Sequence, residues 1–177
     1  FLASTEALYN FDNPYHNAIH GADVVQTLSV MLARVDPEVV ELTRVDEMAA
    51  LIAAVIHDAA HPGTSNVELN NSGHALSAMY LNRSASENFS VALGMKLLDH
   101  PQMDFLGESA AAVYPAQRAA IVKRVRELVM VTDIAADDIT MRRARAMIES
   151  RRRRRRAEGG GVVVGTGGGR GGGGGGG

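Results

Sequence analysis

Two short histidine-containing stretches carry the residue types best suited to chemistry. The first, PYHNAIHGAD, holds His16 and His20 four positions apart. The second, IHDAAHPGTSN, repeats that spacing with His57 and His61 and places Asp58 between them. Neutral imidazole and carboxylate are ligands that borderline and hard divalent cations share. The spacing therefore raises the question of whether the two stretches form one metal site.

Helical geometry predicts how these side chains are arranged. Residues four apart on a helix share a face, so His16 and His20 should point the same way, as should His57 and His61. A lone histidine on an apolar face is more often a packed core residue than a ligand. The adjacent Asp58 favours a metal site over packing, because a carboxylate at the end of the apolar run MAALIAAVI is costly to desolvate without a cation.

Helices are the predicted elements that position these residues. Apolar residues from Val24 to Val35 recur at three- and four-residue spacing, which is typical of one helix face. A long apolar helix is predicted from Val39 to Ile56, running into His57 and ending at Pro62 and Gly63. Further helices are predicted over residues 73–82, 85–99, 116–133 and, more weakly, 137–149. Since no strand alternation is visible, we predict an all-α fold, an irregular multi-helix bundle.

The C-terminal segment differs in composition from the rest of the chain. Residues 159–177 hold 14 of the 19 glycines, and Arg151 to Arg156 form an unbroken basic run before them. Glycine tracts have no side chains to bury and lose the most backbone entropy on ordering. We therefore predict a folded domain over residues 1–150 and a low-complexity, disordered tail over residues 151–177.

The charge is distributed unevenly. Residues 1–141 carry 8 basic and 18 acidic residues, a net charge of −10, although the whole chain has a net charge of −2. An acidic body argues against a nucleic-acid-binding surface there. The arginine run could contact RNA, DNA or an anionic membrane. The absence of interleaved aromatic residues favours a simple solvated extension instead.

The sequence contains no cysteine, so disulfides and thiolate metal sites are excluded. The apolar run over residues 48–56 is far too short to span a bilayer, and no signal peptide is visible. The expected location is the cytoplasm, or the cytoplasmic face of a membrane within a larger parent protein.

Four motifs together resemble a known family. YHNAIHGADVVQ, IHDAAHPGTSN, ENFSVALGMKLL and VMVTD are similar, in order and approximate spacing, to the catalytic domain of class I cyclic-nucleotide phosphodiesterases over roughly residues 10–150. The resemblance implies an all-helical fold that hydrolyses the 3' phosphoester of cyclic AMP or cyclic GMP. It also implies two divalent metal ions, zinc plus magnesium or manganese.

The resemblance assigns the reacting groups residue by residue. His16 matches the histidine that protonates the departing 3' oxygen. His20 and His57 match metal ligands, and Asp58 matches the carboxylate that both metals share. His16, His20 and Asp58 would therefore also face the substrate.

Five further residues have supporting roles by the same resemblance. His61 matches a histidine that supports metal-bound water, and Glu87 and Thr132 match residues with the same task. Tyr15 and Asn17 belong to the first motif and are predicted to be structural or substrate-lining. The remaining histidines, His74 and His100, lie outside the ligand spacing and are predicted to be surface or helix-end residues.

The chain also departs from the family pattern. A second histidine pair usually follows the Glu-Asn of the third motif, but here Phe89 and Ser90 occupy those positions. In the family the last metal-binding aspartate, a purine-binding glutamine and a base-stacking aromatic residue follow the fourth motif. Residues 151–177 contain none of these types, so we predict that the chain corresponds to the N-terminal part of the domain.

Alternative functions follow from this departure. The first hypothesis is a cyclic-nucleotide phosphodiesterase. The second is a catalytically incomplete metal-binding fragment that lacks the C-terminal nucleotide pocket. A general HD-type phosphohydrolase would explain the adjacent His57 and Asp58 but not the YHNAIH motif before them.

Overall fold

The structure is a computed structural model whose described residues form helices and no strand. The described residues are 1–38, 40–106, 115–133, 142, 145–151, 153 and 154. The helices are α1 (Leu2–Glu6), α2 (Ala18–Leu32), α3 (Arg44–Ile56), α4 (Asn66–Asn71), α5 (Ala75–Met79), α6 (Ala85–Leu98) and α7 (Pro115–Met130). The predicted all-α fold is confirmed. The chain divides into two compact units, Phe1–Thr140 and Met141–Gly177, and the seven helices named here belong to the first.

Helix α3 lies at the centre of the first unit and contacts α1, α2, α6 and α7. The main core is formed by apolar side chains of α3, α6 and α7, together with Leu106. These buried residues are Ala49, Ile52, Ala53, Ile56, Val91, Met95, Leu98, Ile121, Val125 and Val129. Because the last turn of α3 is buried in this core, the residues that follow it are held by a rigid element.

Helix α3 begins later than predicted. Thr43 caps it by accepting a hydrogen bond from the Asp46 N–H, and the Asp46 carboxylate accepts one from the Thr43 N–H. This reciprocal capping box fixes the start at Arg44, so the prediction of a helix from Val39 is wrong for residues 40–43. Val39 itself lies outside the described residues.

Helix α2 also begins later than the histidine spacing suggested. Asn17 is its N-cap, and the side-chain oxygen accepts hydrogen bonds from the N–H groups of Ile19 and His20, at 3.0 and 3.2 Å. Side-chain oxygens of asparagine satisfy the free donors of a first turn well. His16 consequently precedes the helix, whereas His20 lies in its first turn. Val35 lies beyond the C-terminal end of α2.

The remaining helices match the predictions to different degrees. Helix α6 ends one residue before the predicted 85–99, and α7 ends three residues before the predicted 116–133. The predicted helix over residues 73–82 is shortened to α5, with His74 as its N-cap, and α4 was not predicted. Ser65 caps α4, and the cluster of polar residues around it reads more easily as a loop than as a helix start.

The second compact unit is described only in part. Residues 142, 145–151, 153 and 154 are helical and exposed, whereas residues 137–141, 143 and 144 of the predicted 137–149 helix lie outside the described residues. Residues 151, 153 and 154 of the arginine run are helical, and arginine is a good helix former. The predicted disordered tail over residues 151–177 stays a prediction. The predicted boundary at residue 150 stays a prediction. No described helix is long and apolar enough to cross a membrane.

Candidate active site

The first unit contains a cavity of about 860 Å³ bordered by α2, α3, α6 and α7. Eight of the nine predicted site residues line this cavity: Tyr15, His16, His20, His57, Asp58, His61, Glu87 and Thr132. Asn17 does not line it, because its side chain caps α2. The two histidine motifs, about 40 positions apart in the sequence, therefore meet in one place.

Three of the lining side chains converge as a candidate metal group. The Nε2 atoms of His20 and His57 lie 3.3 Å apart, and the Asp58 Oδ2 atom lies 3.4 Å from the first and 3.2 Å from the second. A tetrahedral zinc ion with bonds of about 2.0–2.1 Å separates its ligands by about 3.3–3.4 Å. The donor types and their spacing therefore fit a divalent cation.

Hydrogen bonding to the backbone orients His57 for this arrangement. Its Nδ1 atom lies 2.9 Å from the Ala54 carbonyl oxygen, which can only accept a hydrogen bond. The Nδ1 atom therefore carries the proton of the neutral ring, and the lone pair of Nε2 faces His20 and Asp58. A backbone acceptor behind the ring is the usual support of a ligating histidine.

Mutual electrostatics keeps the Asp58 carboxylate ionised. Burial raises the pKa of Asp58, but hydrogen bonding with the protonated form of His57 and the charges of the surrounding histidines outweigh burial and hold it below its ordinary value. Burial lowers the pKa of His57, but hydrogen bonding with Asp58 and the charge of Asp58 raise it overall. Burial, with contributions from the neighbouring histidines, lowers the pKa of His20. An anionic carboxylate is thus surrounded by imidazoles.

Asp58 also belongs to a second group, with His16 and His61. One candidate ligand atom from each of the three lies within 4.8 Å of the other two. The imidazole rings of His16 and His61 are stacked, with centroids 3.9 Å apart and planes inclined by 20°. A single carboxylate is therefore common to both groups of the described residues that could hold a metal ion.

The protonation of His61 differs from that of His57. The Gly63 N–H donates to the His61 Nδ1 atom at 3.1 Å, so the neutral ring carries its proton on Nε2. Burial, with the charge of His16, lowers the pKa of His61 to about 4. At neutral pH His61 consequently offers Nε2–H as a hydrogen-bond donor, which suits it less to direct ligation.

The prediction that each histidine pair shares a helix face is wrong. His16 precedes α2, His57 caps the C-terminal end of α3, and His61 directly follows the turn over residues 57–60. That turn passes through Ala60 with a φ of 57°, a left-handed conformation that prolongs no helix. The pairs line one cavity because the turn folds back against the segment before α2, and helical periodicity plays no part.

The wall formed by α6 and the end of α7 is acidic. Glu87 in the first turn of α6 accepts a hydrogen bond from the Asn66 amide at 2.8 Å, and burial raises its pKa, with smaller contributions from Asp133 and Asp58. Thr132 donates to the Val129 carbonyl at 2.7 Å. Asp133 also lines the cavity, although the sequence motifs did not single it out as a site residue. It is 7% exposed and accepts a hydrogen bond from the Ser84 hydroxyl at 2.6 Å. Its position directly after Thr132 in the VMVTD motif was the available signal.

Tyr15 lies at the mouth of the cavity and is 60% exposed. Its ring centroid is 4.3 Å from that of His20 and 5.0 Å from that of His16, which it meets edge-on. The phenol ring therefore packs against both imidazoles while most of the tyrosine stays exposed.

Comparison with known proteins identifies the family. The family described as 3'5'-cyclic nucleotide phosphodiesterase matches residues 15–159. The chain belongs to this family. It is 34% identical over 151 residues to a 3',5'-cyclic-AMP phosphodiesterase 4C of Mus musculus and 33% identical to that of Rattus norvegicus. It is also 34% identical to a 3',5'-cyclic-AMP phosphodiesterase, isoform F, of Drosophila melanogaster.

These alignments cover 85% of the chain but only 21%, 27% and 22% of the three relatives, respectively. The chain thus spans only 21–27% of the length of these curated relatives. All eight cavity-lining residues that were predicted lie inside the matched range.

Proposed function

We propose that the chain carries out metal-dependent hydrolysis of 3',5'-cyclic nucleotides to 5'-nucleotides. The observation that carries this proposal is the convergence of His20, His57 and Asp58 at ligand spacing, beside His16, in a cavity of about 860 Å³. Cyclic AMP is the proposed substrate, because the three similar proteins are named as cyclic-AMP phosphodiesterases, and cyclic GMP is a second candidate.

The two groups that share Asp58 would hold two different ions. His20, His57 and Asp58 suit Zn²⁺, which takes nitrogen and oxygen ligands in a compact site. Mg²⁺ or Mn²⁺ suits the other side of Asp58, because Mg²⁺ keeps several of its waters and needs only one or two carboxylates. When bound, the two cations would supply positive charge to the phosphoryl oxygens and lower the pKa of a water molecule.

The side chains of the chain would supply the proton transfers. The oxygen of water adds to phosphorus, the bond from phosphorus to the 3' oxygen breaks, and the departing oxygen needs a proton. His16 is the proposed donor, because histidine can change its charge near neutral pH and this ring lies beside Asp58 in the cavity. His61 offers a neutral N–H donor, and Glu87 and Thr132 offer acceptors, for ordering water on the same side.

The test is hydrolysis of cyclic AMP and cyclic GMP by the full chain with added Zn²⁺ and Mn²⁺, with bound metal counted by mass spectrometry. Asp58→Asn is expected to reduce the bound metal from two ions to at most one and to abolish turnover. His16→Gln should keep the metal and lower turnover by about 100-fold or more, since general acids contribute about 10²–10⁴-fold.

His74→Asn is the matched control for these variants. His74 is exposed, lies outside the cavity and caps α5 through its side chain, a role that asparagine can fill. This variant should keep both metal content and turnover. Two bound ions without any turnover would favour the catalytically incomplete metal-binding protein, and a folded chain without bound metal would contradict both hypotheses.

A further inference from the structure

A buried asparagine outside the family match joins the two segments that carry His16 and His61. Asn13 is 8% exposed, and its Nδ2 group donates to the His16 carbonyl at 3.0 Å and to the His61 carbonyl at 2.9 Å. The two hydrogens of one amide group thus bond two backbone segments 45 positions apart. Removing such a buried donor would leave both carbonyls without this partner.

The Asn13 amide is fixed in place by its other contacts. Its Oδ1 atom accepts a hydrogen bond from the Asn10 side chain at 3.2 Å. The Asn13 amide also packs directly on Gly63, where an added Cβ atom would lie only 2.6 Å from the Asn13 Oδ1 atom. Gly63 also has a φ of 79°, so glycine is required here for both conformation and space. The amide therefore cannot turn without losing bonds.

A second hydrogen bond joins the segment before α2 to the turn that precedes His61. The Leu8 carbonyl accepts a hydrogen bond from the Ala60 N–H at 3.0 Å, one residue before His61. Ala60 has a left-handed backbone conformation, which is costly for a residue with a Cβ atom. The bonds from Leu8 and Asn13 thus hold a turn that would not keep this shape by itself. Leu8 and Asn13 both precede residue 15, where the family match begins.

We propose that Asn13 is a positioning residue that sets the separation and stacking of His16 and His61. Its amide holds the backbone carbonyls of both residues, and their rings lie 3.9 Å apart in the stacked arrangement. The Asn13 side chain makes no hydrogen bond to His20 or His57, so substitution of this side chain should leave the geometry of the candidate zinc group unchanged. A role for Asn13 in turnover rests on the proposed function, whereas its control of the geometry does not.

The test compares Asn13→Ala and Asn13→Asp with Asn88→Ala in the full chain. Asp keeps the volume of Asn but cannot donate to the two carbonyls. Asn88 is the matched control, because its Nδ2 group also donates to two carbonyls, those of Arg83 and Ser84, each at 3.0 Å, without touching the histidines. Thermal unfolding and circular dichroism of each variant establish that it is folded.

The first measurement is the nuclear Overhauser effect between the ring protons of His16 and His61 in the metal-free chain. Asn13→Ala and Asn13→Asp should lose it and keep the corresponding signal between His20 and His57. The second is steady-state hydrolysis of cyclic AMP, in which kcat should fall about 10-fold to 100-fold with KM changed less than twofold. Asn88→Ala should alter neither measurement.

The outcomes separate the two proposals. An inactive wild-type chain whose Asn13 variants lose the His16–His61 signal would refute the proposed function and support the positioning role. Retention of that signal and of kcat in both variants would overturn the positioning role. Collapse of the fold in both variants, or an equal loss of kcat in Asn88→Ala, would also overturn it in favour of a general contribution to stability.

Discussion

The second nitrogen of each imidazole decides what the first can do. His57 faces a carbonyl with Nδ1, so its Nε2 atom is a lone-pair donor for a cation. His61 faces the Gly63 N–H with Nδ1, so its Nε2 atom is a hydrogen-bond donor. The Nε2 atoms of these two histidines thus have opposite roles, one as a lone-pair donor to a cation and one as a hydrogen-bond donor. The difference arises because Nδ1 faces a backbone carbonyl in one case and a backbone N–H in the other.

The buried phenol of Tyr9 should make the free energy of unfolding depend on pH. Burial, and to a smaller extent the Asp58 charge, raises the pKa of its phenol well above the ordinary 10.0, and its hydroxyl donates to the Val55 carbonyl at 3.0 Å. Above pH 10 the unfolded chain ionises this phenol while the folded chain does not, so the free energy of unfolding falls as pH rises. The contribution is about 1.4 kcal/mol per pH unit.

Urea unfolding between pH 10.5 and 11.5 measures this slope. Tyr9→Phe is expected to lower stability by about 1 kcal/mol at pH 7, because one hydrogen bond is lost, and to reduce the alkaline slope. Parallel curves for the variant and the wild type would refute the buried-phenol explanation.

Eight of the nine site residues that the motifs predicted line one cavity. The motifs did not, however, predict how those side chains are oriented. Orientation depends on the Ala54 carbonyl and the Gly63 N–H, which are backbone groups present at every position. Asn13 was missed for a similar reason, since an asparagine before a proline signals a turn and nothing more. Hydrogen bonds between segments that are distant in the chain leave no recognisable pattern in the local sequence.

At the scale of elements, the approach of α6 to α3 supports the site. Gly94 of α6 lies against Ile56, the last residue of α3, which is fully buried immediately before His57. A Cβ atom on Gly94 would lie 2.5 Å from the Ile56 Cδ1 atom. The absence of a side chain at Gly94 therefore allows the two helices to pack closely where α3 leads into His57 and Asp58.

Gly94→Ala is accordingly expected to destabilise the fold despite the better helix propensity of alanine. Overpacking costs about 1–3 kcal/mol, and the propensity gain offsets about 1 kcal/mol of it. Ile56→Val removes the nearest atom and should make Gly94→Ala less harmful in the double variant. Denaturant unfolding of all four proteins checks this, and strictly additive effects would contradict the packing argument.

The helix predictions succeeded where apolar periodicity was strong and failed where caps decide. Helices α6 and α7 were placed to within a few residues, because their buried faces repeat along the sequence. The start of α3 was misplaced because apolar residues continue upstream of Thr43, and the capping box with Asp46 overrides them. A threonine followed three residues later by a carboxylate was the signal that could have corrected the start.

For the whole molecule, the candidate metal group links parts of the chain that unfolding separates. His20 comes from α2, and His57 and Asp58 follow α3, so an ion held by all three would join two helices. Ligands that bind only the folded state stabilise it according to their concentration, by about 2.7 kcal/mol at 100 times Kd.

The unfolding temperature of the chain is therefore expected to rise by about 5 °C or more with saturating Zn²⁺ and to return to its metal-free value with a chelator. Asp58→Asn should show little or no rise, and His74→Asn should show the full rise. An equal rise in Asp58→Asn would mean that Zn²⁺ binds elsewhere.

The single carboxylate of Asp58 has a final consequence for how the two groups respond to metal supply. Since both groups draw on the same negative charge, filling one reduces the charge left for the other, and linkage makes this effect reciprocal. Two ions would therefore be taken up with unequal affinities even if the surrounding side chains were identical. The chain would respond to metal in two steps, with a singly loaded form over an intermediate range of concentration.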